Sequence, residues 1–220
     1  MIVEGKTGIE TLPPSDVKTA YQLLARDFPV GMLAPLNIVV DGKLSDPQVQ
    51  TGIKNFEAAI KGNSLFGSVT VTANKQGDLA LLETPLKVEG NTSQATDAVW
   101  HLRDDVIPQA FHGAPAKVYV SGGPAFNADY YNIVDTSTPN VFVFVLGLSF
   151  LLLLLAFRSV VVAAKAIVMN LLSVGAAYGL MVLVFQKGYL HNLLGFQMTP
   201  TIEAWVPIFL FCVLFGLSMD

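Results

Sequence analysis

Residues 139–157 read PNVFVFVLGLSFLLLLLAF, nineteen positions without a formal charge. Coiled as an α-helix they reach about 28 Å, enough to cross a hydrocarbon layer of roughly 30 Å. Arg158-Ser159 follows, and then a second apolar run, Val160 to Phe185, interrupted only by Lys165. A third begins at Ala204 and continues as WVPIFLFCVLFGLSM to Asp220. These runs predict membrane spans over about 138–158, 160–186 and 203–220. The last is incomplete, since Trp205 to Asp220 is only about 22 Å of helix against a roughly 30 Å core. We expect the sequence to be a piece of a longer chain.

Upstream the composition changes. Residues 1–136 hold ten of the thirteen basic and fifteen of the seventeen acidic side chains, leaving this part five charges negative. Such a surface repels nucleic acid and anionic headgroups. Arg158 and Lys165 share one end of the first two spans, and an excess of basic residues marks the cytoplasmic side. That places 1–136 outside the cytoplasm, as a domain ahead of a transmembrane region at 137–220. No apolar secretory signal opens the sequence, so either 1–136 is cytoplasmic or a transmembrane helix precedes it.

The outer part alternates between helical and strand periods. Ser15 or Asp16 starts a helix with Val17, Tyr21, Leu24 and Phe28 on one face. Leu36–Val40 is a strand closed by Asp41-Gly42. Asp46-Pro47 opens a helix striped by Val49, Ile53, Phe56 and Ile60. Val69 to Thr72 alternates as a half-buried strand, and a further strand runs from Leu79 to Val88, broken or edged at Pro85. Ser93 caps a helix presenting Val99, Leu102, Val106 and Ala110. Lys117–Val120 is the last strand, stopped by Gly122-Gly123, and Pro124–Thr138 forms a helix feeding the first span. Without the flanking helices the order is β-α-β-β-α-β, so the predicted class is an α+β domain of ferredoxin-like topology followed by all-α transmembrane helices.

Asp220 is the sharpest chemical candidate. A carboxylate deep in a span costs about 2.5–3.5 kcal/mol to insert, which marks it as a proton relay or ion site. Gly175 and Gly179 form a small-xxx-small pair that permits close helix packing, and Asn170 needs a partner inside a bundle. We assign these three to helix packing. The single cysteine, Cys212, excludes a disulfide framework. His101, His112 and His191 lack metal-ligand spacing, and neither a Walker-type glycine loop nor a nucleophile–base constellation is present. No cofactor, no metal and no enzymatic activity are expected.

The run Phe215-Gly216-Leu217-Ser218-Met219-Asp220 resembles the start of the FGLSMDY signature of MMPL transporters in the resistance–nodulation–division superfamily. Ile202-Glu203-Ala204-Trp205-Val206-Pro207-Ile208-Phe209, Ala156-Phe157-Arg158-Ser159 and Leu171-Leu172-Ser173-Val174-Gly175-Ala176-Ala177-Tyr178-Gly179 are similar to the same family. So are Gly5-Thr11-Leu12-Pro13, Phe28-Pro29-Gly31 and the Gly122-Gly123 turn. The wording is most like the second of the family's two pseudo-repeated halves. The resemblance implies proton-driven export of lipids or other hydrophobic and amphipathic molecules from a multi-pass cell-membrane protein, with Asp220 as the membrane acid of an Asp-Tyr pair. It implies as partners the bilayer, an amphipathic substrate and the missing remainder of the same transporter. Two readings of other classes stand beside it: a sterol-sensing-like receptor or scaffold that does not pump, and a membrane-anchored enzyme with its active site in 1–136.

Overall fold

The computed structural model describes residues 13–28, 30–189 and 202–217. The chain divides into two compact units, one ending at Tyr130 and the other beginning at Tyr131.

The first unit opens with α1 (Asp16–Asp27), whose N-terminus is held by the Ser15 hydroxyl accepting from the Lys18 amide at 3.3 Å. The helix closes at Asp27, and Phe28 is extended, as expected just before a proline. The stripe of Val17, Tyr21, Leu24 and Phe28 is amphipathic, yet α1 buries no residue.

The centre of the unit is β1 (Leu36–Asp41). It lies between β3 (Leu79–Thr84) and β4 (Lys117–Gly122), and β2 (Thr70–Ala73) lies outside β3, giving the order β2-β3-β1-β4. Every neighbouring pair is antiparallel, with Ile38 opposite both Leu82 and Val120. The period of two sends Leu36, Ile38, Val40, Ala80 and Leu82 to one face, where all are buried. Covering them is α2 (Pro47–Lys61), started by Asp46, whose carboxylate accepts from the Gln48 amide at 2.8 Å. Val49, Phe56 and Ile60 of α2 join α3 (Ser93–His101) in this core.

Several local expectations need correction. Thr92, not Ser93, caps α3: Thr92 is extended and its hydroxyl accepts from the Ala95 amide at 3.3 Å. A π-helical turn over Leu102–Val106 then precedes α4 (Ile107–Ala110). The wider turn shifts the phase by one residue, so Ile107 is buried where regular spacing predicts Val106. β2 is exposed at all four positions rather than half-buried, because nothing among the described residues covers either of its faces. β3 breaks ahead of Pro85 as expected, ending at Thr84, but does not resume as a strand to Val88; Gly67 and Lys87 then tie the two approaches together through bonds to the Pro85 and Leu65 carbonyls, both 2.8 Å.

At the end of β4, Gly122 has φ 98°, and a Cβ there would stand 2.4 Å from the Pro35 carbonyl oxygen. Only glycine fits this corner. It leads directly into α5 (Gly123–Phe157), thirty-five residues that take in both the expected feeder helix and the first apolar run.

In the second unit α5 ends at Phe157. Arg158 adopts φ 51°, and Ser159 caps α6 (Val160–Met181), its hydroxyl accepting from the Val162 amide at 3.4 Å. A second π-helical turn extends α6 over Val182–Gln186, and α7 (Trp205–Leu217) carries the third apolar run. Two of these helices are long and apolar enough to cross a membrane. The core helix of a soluble protein would be mostly buried, whereas only 6% of each apolar window is. Their apolar surface therefore faces outward among the described residues.

Candidate functional site

Two places in the described structure combine polar chemistry with fixed geometry, one in each unit.

In the first unit, Arg103 stands within the π-helical turn and reaches the start of α5. Its two terminal nitrogens donate to the two carboxylate oxygens of Asp129 at 2.5 and 2.9 Å, and one also donates to the Val120 carbonyl at 3.1 Å. The guanidinium lies 5.2 Å from the ring centroid of Trp100. Asp129 beside Arg103 is thereby held below the usual carboxylate range, and Arg103 is raised by the same bond. Around this clamp Ala125 and Ala128 are buried in the core, and the Asn127 amide donates to the Gly90 carbonyl at 3.0 Å. A shallow groove of about 300 Å³ elsewhere in this unit is lined by Glu57, Lys61, Gly67, Ser68 and Val69. It brings together one acid, one base and one hydroxyl without a nucleophile–base pair.

In the second unit the helices meet around Phe211 and Phe215 of α7, both fully buried. Phe142 of α5 stacks on Phe211 with centroids 3.9 Å apart and planes 10° off parallel. From α6 come Ile167, Val174 and Tyr178, a stripe at i, i+7 and i+11. The Tyr178 hydroxyl donates to the Pro207 carbonyl, tying α6 to the first turn of α7. Asn170 is half-buried and falls at the margin of this stripe.

Gly175 and Gly179 lie one residue beyond Val174 and Tyr178, rotated by about 100° around the axis. Both are exposed, and a Cβ on either would meet nothing within 4 Å. Among the described residues, then, this face of α6 packs against nothing. Asp220 lies outside the described residues, as does His191. No group of three or more His, Cys, Asp or Glu among the described residues could hold a metal ion.

Sequence reading did not find the Arg103–Asp129 clamp or the Phe142–Phe211–Tyr178 cluster. The clamp joins residues twenty-six apart, and no local period announces such a pair. The aromatic residues sit in runs so apolar that no face of the helix stands out.

Residues 15–220 match the profile of the MMPL family. The chain is 32% identical over 213 residues to the mycolic acid-containing lipids exporter MmpL11 of Mycolicibacterium smegmatis, covering 94% of this chain and 22% of that protein. It is 34% identical over 210 residues to the heme uptake protein MmpL11 of Mycobacterium tuberculosis, covering 93% and 21%. It is 26% identical over 225 residues to the trehalose monomycolate exporter MmpL3 of the same species, covering 95% and 23%. The chain thus spans about a fifth of the length of these relatives.

Proposed function

Because this chain belongs to the MMPL family of membrane transporters, we propose that it is part of a proton-driven pump exporting lipids or other amphipathic molecules, and not an enzyme. The observation carrying this reading is the family match across both units, joined to two long apolar helices with outward-facing surfaces. Exporter descriptions of two relatives favour a lipidic cargo moving outward; the uptake description of the M. tuberculosis MmpL11 makes the direction of transport a point to measure.

In this proposal the first unit is extracytoplasmic. Its β-α-β-β-α-β succession and β2-β3-β1-β4 order support a ferredoxin-like reading, in which β3 is inserted between two strands joined through α2. Domain limits of 1–136 and 137–220 and spans at about 138–158, 160–186 and 203–220 complete the arrangement, with Arg158 and Lys165 at the cytoplasmic end. The open Gly175/Gly179 face receives a helix from the rest of the transporter, because small residues let backbones approach. Asn170 finds its partner in that bundle.

Asp220 is the proton carrier of the scheme. One elementary charge crossing 100 mV releases about 2.3 kcal/mol, which a carboxyl group can capture only if it binds and loses a proton within the membrane. Asp220→Asn in the full-length protein is expected to abolish export while expression stays intact. Export at the unmodified rate would remove Asp220 from the mechanism, and vesicles that show no proton flux with substrate present would favour a receptor or scaffold.

A further inference from the structure

We propose that α5 carries a hinge at Thr136–Pro139, with its head bolted to the first unit and its apolar part free to change tilt. Three observations combine. First, α5 continues as one helix through Pro139. Proline has no N–H, so the Asp135 carbonyl loses the donor that every regular turn supplies, and the ring crowds that carbonyl. Second, the neighbouring hydroxyls draw on the same stretch of the ladder. Thr136 Oγ1 donates to the Asn132 carbonyl at 2.6 Å and approaches that of Ile133 at 3.3 Å, while Thr138 Oγ1 donates to the Val134 carbonyl at 2.5 Å. Side-chain donors shared into helix carbonyls in this way lengthen the backbone bonds and favour bending.

Third, the head of α5 cannot yield in the same way. Ala125 and Ala128 are buried, Asn127 is bonded to Gly90, and Asp129 is gripped by Arg103, which also holds Val120 of β4. These contacts fall in the first two turns. From Asp135 to Ser137 the side chains are exposed, and nothing described packs over them. A bending load on α5 therefore concentrates where the ladder is thinnest. From Pro139 onward nineteen residues, about 28 Å, remain to span the membrane, so the weak point coincides with the start of the apolar run. The inference concerns mechanics and stands whether or not the protein pumps protons.

Hydrogen exchange on the full-length protein in lipid nanodiscs tests it without any transport readout. Pro139→Ala restores a donor to Asp135 and is expected to slow exchange of amides 132–143 on the order of tenfold to a hundredfold. Joint Thr136→Val and Thr138→Val should slow the same amides by a smaller factor, since the competing hydroxyls are gone and the shape is kept. Arg103→Met should speed exchange over 123–130 and leave 136–143 unchanged. Unchanged exchange at 132–143 in Pro139→Ala overturns the hinge. So does an Arg103→Met effect that spreads undiminished through 143, since head and apolar part would then move as one.

Discussion

At the residue scale, the Arg103–Asp129 pair shows how one contact can be worth more to order than to stability. The carboxylate is half exposed and the guanidinium about a quarter exposed, at 49% and 23%, so water screens the attraction and its net worth is about 1 kcal/mol at most. The sign of its pH dependence follows from the lowered carboxyl of Asp129. Its contribution is complete above the unfolded aspartate value, near pH 4, and disappears as pH falls through the lower folded value. Asp129→Asn is expected to destabilise the first unit by up to about 1 kcal/mol at neutral pH and to flatten the acid limb of its stability curve. Urea unfolding followed by Trp100 fluorescence in a Trp205→Phe background measures both. A second residue, Arg158, sits in the left-handed region at φ 51°, which costs a non-glycine residue about 1–2 kcal/mol. Arg158→Gly should raise the thermal unfolding midpoint in micelles, and Arg158→Val should lower it.

At the element scale, what the sequence made legible was decided by whether an element had one wet face. α2 could be read from Asp46-Pro47 and the stripe Val49, Ile53, Phe56 and Ile60, because the opposite side is polar. β1 could be read from its apolar run and the Asp41-Gly42 turn. The π-helical turn at Leu102–Val106 was not legible. It answers to tertiary demands, keeping Ile107 and Ala110 in the core while Arg103 turns toward α5. The exposure of β2 was equally hidden, since Thr-Val-Thr-Ala alternates whether or not anything covers the face of the sheet. Close approach gives the sharpest test at this scale. A Cβ on Gly52 of α2 would lie 2.5 Å from the Phe111 ring, so Gly52→Ala should push α2 off the chain beyond α4. Overpacking of this kind costs about 1–3 kcal/mol, and the same urea titration reads it.

At the scale of the whole molecule, the candidate site was only partly legible. Asp220 stands out in the sequence because a charge in an apolar run is expensive, but it lies outside the described residues; the aromatic cluster of Phe142, Phe211 and Tyr178 needs three helices in place before it exists. Gly175 and Gly179 divide the piece from the proposed whole. A Cβ at either position would meet nothing described within 4 Å, so alanine at both should stabilise this 220-residue piece slightly, by helix propensity worth up to about 1 kcal/mol each. In the full-length transporter, leucine at both positions should weaken packing of the bundle and lower transport. Cysteine scanning in a Cys212→Ala background tests the proposed topology. A thiol at Lys75 should react with an impermeant reagent added outside intact cells, and one at Ser159 should react only after permeabilisation. The two-residue link at Arg158-Ser159 has a further consequence for biogenesis. In the proposed topology α6 leaves the ribosome only two residues behind α5, so whichever way the first helix enters the membrane fixes the opposite direction for the second.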